Sequence, residues 1–293
     1  MKKIAVLMGG ISSERDISIS SGKAISLGLN QSGYNVTDII LDSNKISYDL
    51  KKFDLVFLAL HGIFGEDGQV QMLLDKIGVP YTGSSAKSCK ISFDKILTRK
   101  YLFNKNVNIP KGSVIYNESI PKISFPLIIK PATEGSSVGC HLVKNKSDWL
   151  KAYKSTLSIS KKILVEEYIP GREITVGIVG STALPIIEVI PDDDWYDFHS
   201  KYNSKNTKYI VPAKLDHTTT KTLQSIALNV FNILGASGFA RIDFRLNNNN
   251  IPYVLELNSI PGFTEKSLLP KAAEAAGISF PELCKIIVEH KLG

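Results

Sequence analysis

Two short apolar stretches late in the chain, RIDF and VLELN, are separated by a run of asparagines and carry Arg241, Asp243, Glu256 and Asn258. Charged groups inside core-like strands cost free energy unless they are paired or ligated. Residues two apart on a strand share a face, so Arg241 points with Asp243 and Glu256 with Asn258. A four-residue turn at Asn247 to Asn250 makes cross-strand partner numbers sum to 497, which sets Arg241 opposite Glu256 and puts all four side chains on one face. A one-residue slip separates the two sets. Two carboxylates, an amide oxygen and a guanidinium on one face suit a hard divalent cation beside an anion. Magnesium held by carboxylates and a nucleotide's phosphates fits that ligand set. For any one of these residues, an exposed hairpin face with ordinary charges is the simpler account; for the set, the metal site is preferred.

Two further segments could handle a nucleotide. Lys130 ends an apolar strand and is followed by PATEGSSVG, a small-residue loop able to bring backbone N–H groups and hydroxyls against phosphate oxygens. Its spacing is not that of a Walker loop. In VEEYIPGRE, Glu166 and Glu167 precede a Pro170-Gly171 turn and Glu173 opens the next strand. A backbone linker of this kind can bond a base while a carboxylate accepts from a ribose hydroxyl, although taken alone the segment reads as a charged surface hairpin.

The elements that must position these groups follow from patterning. KKIAVLMGG reads as a buried strand ending in a glycine turn, with Ser12 or Ser13 capping the helix that follows through Asn30. Strands near 35–41 and 54–60 alternate with helices, which predicts a doubly wound parallel sheet whose ligands gather at the carboxyl ends of strands. Glu14 and His61 lie just past such ends. From about Ser84 the pattern becomes a mixed α+β unit, with Asp94-Lys95 on a helical stretch. Residues 218–234 form an amphipathic helix with Leu223, Ile226, Val230, Phe231 and Leu234 inward, stopped by Gly235. Ser279 and Glu282 make a capping box. The long polar segment 191–212 reads as a lid, given its length and its aromatics Trp195, Tyr196, Phe198 and Tyr202.

With 293 residues the chain has room for two or three units. The apolar run at the start, Ile4 to Met8, is too short for a secretory signal core, and no stretch approaches a membrane span. Three cysteines, Cys89, Cys140 and Cys284, lack any C-x-x-C spacing, which argues against disulfides or structural zinc and for a reducing cytoplasm. Of the 35 basic residues behind the net charge of +7, only five are arginine, and the lysines are scattered. That pattern excludes a nucleic-acid-binding stripe and reads as a solvated surface.

Taken together, GG-x-S-S-E-R-D-I-S, HG-x-x-GEDG, K-P-A-T-E-G-S-S-V-G, R-I-D-F and E-L-N-S-I-P-G-F-T resemble the D-alanine:D-alanine ligases of the ATP-grasp superfamily, over essentially the whole chain and in order. The resemblance implies an N-terminal α/β domain at 1–86, a small ATP-grasp subdomain at 87–170 and a large one at 171–293 that includes the lid. ATP and two magnesium or manganese ions are the implied partners of the fold. Lys95, Lys130 and Ser137 would hold phosphates; Glu166, Glu167, the backbone of Ile169, and Glu173 would take adenine and ribose, with Lys201 in the lid. Asp243, Glu256 and Asn258 would bind the metals. Glu14 would fix the ammonium of the first D-alanine with His61 beside it, and Ser136 and Tyr202 would join Glu14 to close the site. Arg241, the amide of Gly262, Ser267 and Leu268 would handle carboxyl and oxyanion groups. The implied chemistry is an acyl phosphate attacked by the amine of the second D-alanine, with no covalent enzyme intermediate. A D-alanine:D-lactate or D-alanine:D-serine ligase, or a non-catalytic ATP-grasp module, are the alternatives. A cytoplasmic homodimer without nucleic-acid or membrane partners is expected.

Overall fold

A computed structural model describes residues 1–191 and 207–293. Most of the expected lid, with Lys201, Tyr202 and its other aromatics, lies outside the described residues. The first sheet holds β1 (Lys3–Gly9), β2 (Asn35–Leu41) and β3 (Leu55–Leu58), all parallel in the order β2-β1-β3. Strands β1 and β3 are apolar because both their faces are covered, on one side by α1 (Arg15–Gln31), whereas the edge strand β2 is largely exposed. Helices α2 (Gln69–Ile77), α3 (Ala86–Phe93) and α4 (Lys95–Leu102) follow.

A second, antiparallel sheet takes β4 (Gly112–Ile115), β5 (Leu127–Pro131), β6 (His141–Val143) and β7 (Ile163–Glu167) in the order β4-β7-β5-β6, backed by α5 (Lys146–Ile159). This sheet has its own apolar cluster around Trp149, Leu127 and Val165. The third sheet contains β8 (Gly171–Val179), β10 (Ile187–Ile190), β11 (Lys208–Ile210), β12 (Phe239–Asn247) and β13 (Pro252–Asn258) in the order β11-β10-β8-β12-β13, with the short β9 (Thr182–Ala183) paired to β8. Helix α6 (His217–Ile233) buries Leu223, Val230 and Phe231 against it, while α3 and α4 add Ile91 and Leu102 to the same cluster. Two last helices, α7 (Leu268–Ala275) and α8 (Phe280–Leu292), join the first and third sheets: Phe57, Phe239, Phe263 and Phe280 pack ring to ring at centroid separations of 5.6–6.2 Å.

Three sequence expectations need correction. Helix α1 starts after Glu14 without a side-chain cap; the Ser12 hydroxyl instead donates to the carbonyl of His61 at 2.7 Å, tying two strand-end loops together. Strands β7 and β8 are not a hairpin. They belong to different sheets, so residues 168–170 are the crossing between them.

The third correction concerns register. The turn after β12 is one residue tighter than expected: Asn247 and Ile251 close it, with Asn250 left-handed at φ 56°. Next to the turn, Leu246 pairs with Pro252 and Phe244 with Val254. Continued unchanged, that register would set Asp243 opposite Leu255 and send Glu256 to the far face. A β-bulge inserts Leu255 as an extra residue, so that Asp243 faces Glu256 and Arg241 faces Asn258. Two one-residue departures thus restore the shared face that the wrong pairing had suggested.

Gly171, at the start of β8, sits at φ 139°, and a Cβ there would lie 2.1 Å from the carbonyl oxygen of Leu246. Gly171→Ala is therefore expected to lower stability by more than about 1 kcal/mol, through strain and a backbone clash that flexible side chains cannot relieve. A denaturant midpoint equal to that of the parent protein would contradict this close approach.

Candidate active site

The parallel pairing of β1 and β3 brings their carboxyl ends side by side, and the loops leaving them carry Glu14 and His61. Ser18 on the first turns of α1 pins this arrangement: it accepts from Gly9 N at 2.8 Å and donates to the carbonyl of Ala59 at 2.7 Å. His61 is buried, with Nδ1 2.9 Å from the carbonyl of Ile260 and Nε2 3.2 Å from the Ser21 hydroxyl. Since a carbonyl only accepts, the proton sits on Nδ1 and Ser21 donates to Nε2. Burial, reinforced by the nearby Arg241 charge and opposed by Glu14, lowers the imidazole pKa and keeps it neutral.

From the second sheet, the loop between β5 and β6 reaches Glu14. Ser136 and Ser137 are both left-handed, at φ 50° and 59°. Consecutive backbone N–H groups in such a turn form an anion-receptive concavity, and non-glycine residues held this way mark functional loops. The Ser136 hydroxyl donates to the Glu14 carboxylate. Gly135 packs closely beside it: a Cβ there would come within 2.8 Å of Glu14 Oε2 and displace that carboxylate.

The polar face of the third sheet lies between these loops. Asp243 accepts a two-pronged contact from Arg241 at 2.7 and 2.8 Å, plus bonds from Thr175 Oγ1 at 2.6 Å and Asn258 Nδ2 at 2.9 Å. Glu256 is its cross-strand partner and lies 3.4 Å from the Lys95 ammonium, which also donates to the carbonyl of Glu134 at 2.7 Å. Lys130, only 8% exposed, meets Glu166 Oε2 at 2.5 Å, while Arg99 holds Glu166 Oε1 at 2.6 Å. Burial by itself would depress the Lys130 pKa, but the surrounding carboxylates, Glu166 foremost, outweigh it and raise the value.

Two cavities meet along that face. One, of about 80 Å³, lies between the second and third sheets and is lined by Lys95, Lys130, Ser137, Glu166, Glu167, Ile169, Glu173, Asp243 and Glu256 among others. The other, of about 710 Å³, opens between the first and third sheets and is lined by Glu14, His61, Ser136, Arg241, Asn258, Gly262, Ser267 and Leu268 among others. Ser267 precedes α7 yet does not cap it; its hydroxyl accepts from Thr264 N at 3.0 Å. Every expected site residue within the described part therefore lines one cavity or the other.

Five further residues line these cavities or support their walls: Leu255, Arg245 and Glu66 in the lining, Arg99 and Thr175 behind it. Leu255 enters the first cavity only because of the bulge. Thr175 reaches Asp243 through β8 pairing, which no local pattern announces. Arg99 stands four residues after Lys95 on α4, hence on one helix face with it. Arg245 continues the alternation of Arg241 and Asp243 along β12. Glu66 lies in the quoted HG-x-x-GEDG block, accepting from Gly62 N at 2.8 Å and Ile260 N at 3.4 Å. Burial, with Glu14 and Glu256 nearby, raises its pKa to about 8 against those two bonds.

The Glu66 shift has a defined sign. A carboxyl raised above its unfolded value near 4.3 contributes stability that is fully present below that pH and is lost as pH rises to about 8. The stability of Glu66→Gln relative to the parent protein should accordingly increase steadily between pH 5 and 8 and level off above. Melting curves across that range test it, and a gap independent of pH would refute the buried acid.

The metal donors can be judged by type: two carboxylates and one amide from neighbouring strands match the oxygen preference of a hard divalent cation that takes its remaining ligands from phosphates and water. Among the described residues no group of three or more His, Cys, Asp or Glu side chains is placed to hold a metal ion by itself.

Comparison with known proteins places this geometry. Residues 41–84 match the family model for the D-ala D-ala ligase N-terminus and residues 96–289 that for the D-ala D-ala ligase C-terminus. A D-alanine–D-alanine ligase of Syntrophotalea carbinolica is 42% identical over 295 residues, spanning 98% of this chain and 95% of its own. The structure of a D-alanine–D-alanine ligase from Bacillus anthracis complexed with ATP superposes with a TM-score of 0.87 at 32% identity, over 99% of this chain and 97% of that one. A D-Ala:D-Ser ligase from Enterococcus faecalis matches with the same TM-score at 26% identity, over 99% of each chain. With both domain models and a near-full-length relative in agreement, the chain belongs to the D-alanine–D-alanine ligase family.

Proposed function

We propose that the protein joins two D-alanine molecules at the expense of ATP, through a D-alanyl phosphate, in the cytoplasm and for a cell-wall precursor. The observation that carries this reading is the meeting of the two cavities at Arg241, Asp243, Glu256 and Asn258. A nucleotide in one can direct its terminal phosphate at a carboxylate lying in the other. The sheet-crossing backbone at Ile169, with Glu166, Glu167 and Glu173, supports adenine and ribose binding. Lys95, Lys130 and the Ser137 turn carry positive charge and N–H groups toward the phosphates. Asp243, Glu256 and Asn258 would hold one or two magnesium ions, which when bound neutralise charge on the transferring phosphoryl group.

On the amino-acid side, Glu14 accepts the ammonium of the first D-alanine, held in place by Ser136. His61, neutral, packs beside it without adding a competing charge. Both half-reactions develop negative charge on oxygen, and Arg241, the N–H of Gly262, the Ser267 hydroxyl and the N–H of Leu268 in the first turn of α7 are disposed to receive it. In this reading the second D-alanine's own amine is the attacking group.

The direct test is phosphate release from Mg-ATP by the purified protein with and without D-alanine, products identified by mass. Release that requires D-alanine and yields D-alanyl-D-alanine is expected, with about 10²-fold or greater loss in Glu256→Gln, in line with removing one charge-stabilising group. Release indifferent to D-alanine, or a full-rate Glu256→Gln, would overturn the assignment.

A further inference from the structure

Arg245 is one of only five arginines in a chain with 35 basic residues, and it is 7% exposed. Its guanidinium donates to four different acceptors: the carbonyl of Ile169 at 3.0 Å, the carbonyl of Gly171 at 2.7 Å, Glu173 Oε2 at 3.2 Å and the Tyr168 hydroxyl at 3.3 Å. It also lies over the Tyr168 ring, 5.4 Å from the centroid. All four partners fall within 168–173, which comprises the crossing from the second sheet to the third and the first residues of β8, and Glu173 is the direct cross-strand partner of Arg245 between β8 and β12. A lysine, with a compact ammonium, could not span carbonyls, carboxylate and ring together; the planar fork of an arginine can.

We propose that Arg245 is a positioning residue for nucleotide recognition: by bonding both sides of the 168–173 crossing it fixes the Ile169 backbone and the Glu173 carboxylate in the geometry that receives adenine and ribose. The inference rests on the nucleotide-binding reading above. Arg245 itself need not touch the phosphates. It acts by removing the freedom of a linker that would otherwise be ordered at the cost of binding free energy.

The test compares ATP, 2′-deoxy-ATP and 3′-deoxy-ATP in D-alanine-dependent phosphate release by the parent protein, Arg245→Met, Arg245→Lys and Glu173→Gln. The parent protein should lose about tenfold in kcat/KM with at least one deoxynucleotide, the value of a hydrogen bond to a charged group. In Arg245→Met the loss should fall on KM for ATP more than on kcat, and the deoxynucleotide penalty should shrink toward unity, as it should in Glu173→Gln. Arg245→Lys, which keeps the buried charge, should lie between and serves as the deciding variant if Arg245→Met does not fold. A purely structural arginine would lower the melting temperature and leave the ribose penalty intact in every variant, which would overturn the proposal. So would a parent protein indifferent to both deoxynucleotides. Product formation from ATP by the parent protein judges the ligase reading separately.

Discussion

Charges in the two cavities persist because each is set against a counter-charge or a fixed dipole. Lys130 and Arg99 share Glu166, Lys95 faces Glu256, Arg241 grips Asp243, and Arg245 holds Glu173. In surroundings of low polarity an unpaired member of any pair would be costly, and the penalty would exceed the attraction it had lost. The pairing also fixes direction. An Asp243 held by two prongs of Arg241, by Thr175 and by Asn258 cannot swing, so the direction its carboxylate faces is set.

That constraint explains the architecture around it. The polar face must be offered by a rigid sheet, and β12 supplies it from the interior of the third sheet, between β8 and β13. The first sheet is bonded to this platform by the Phe57, Phe239 and Phe263 packing and by the His61 to Ile260 contact, so the Glu14 pocket keeps its distance from Arg241. The second sheet has a separate apolar cluster and meets the others through the charged pairs, the Ser136 contact and the 168–170 crossing. Ligand-facing contacts between it and the platform are thus mostly polar, the kind that substrate phosphates can supplement or exchange. Glu66, bonded to N–H groups of two different loops, has its carboxyl pushed up to about 8, first by burial and then by the charges of Glu14 and Glu256.

Much of this was legible in the chain itself. Apolar runs ending in glycine turns placed β1 and β3, and the strand-end rule placed Glu14 and His61. The helix at 217–233 and the Ser279 cap followed from period and capping chemistry. The motif blocks, taken in order, identified the family. Legibility failed where a residue's partner is distant in sequence. VEEYIPGRE resembled a hairpin because a Pro-Gly pair between two strands normally closes one; that its strands join separate sheets depends on pairing with β5 and β12. Arg99, Thr175 and Glu66 look like ordinary surface or strand residues until Glu166, Asp243 and Ile260 are brought to them.

The residue types at the site, their alternation along β12 and their order along the chain were determined by sequence alone, because period-two alternation and strand-end placement are local properties of the backbone. Which side chains share a face was decided only in the folded sheet. A turn one residue tighter than expected would have put Glu256 behind the sheet, and the bulge at Leu255 brings it back opposite Asp243. Nothing in the letters VLELN marks that extra residue. Its position is set by the competition between turn closure at Asn247 and the ion pairs and packing that require two adjacent residues to face one cavity.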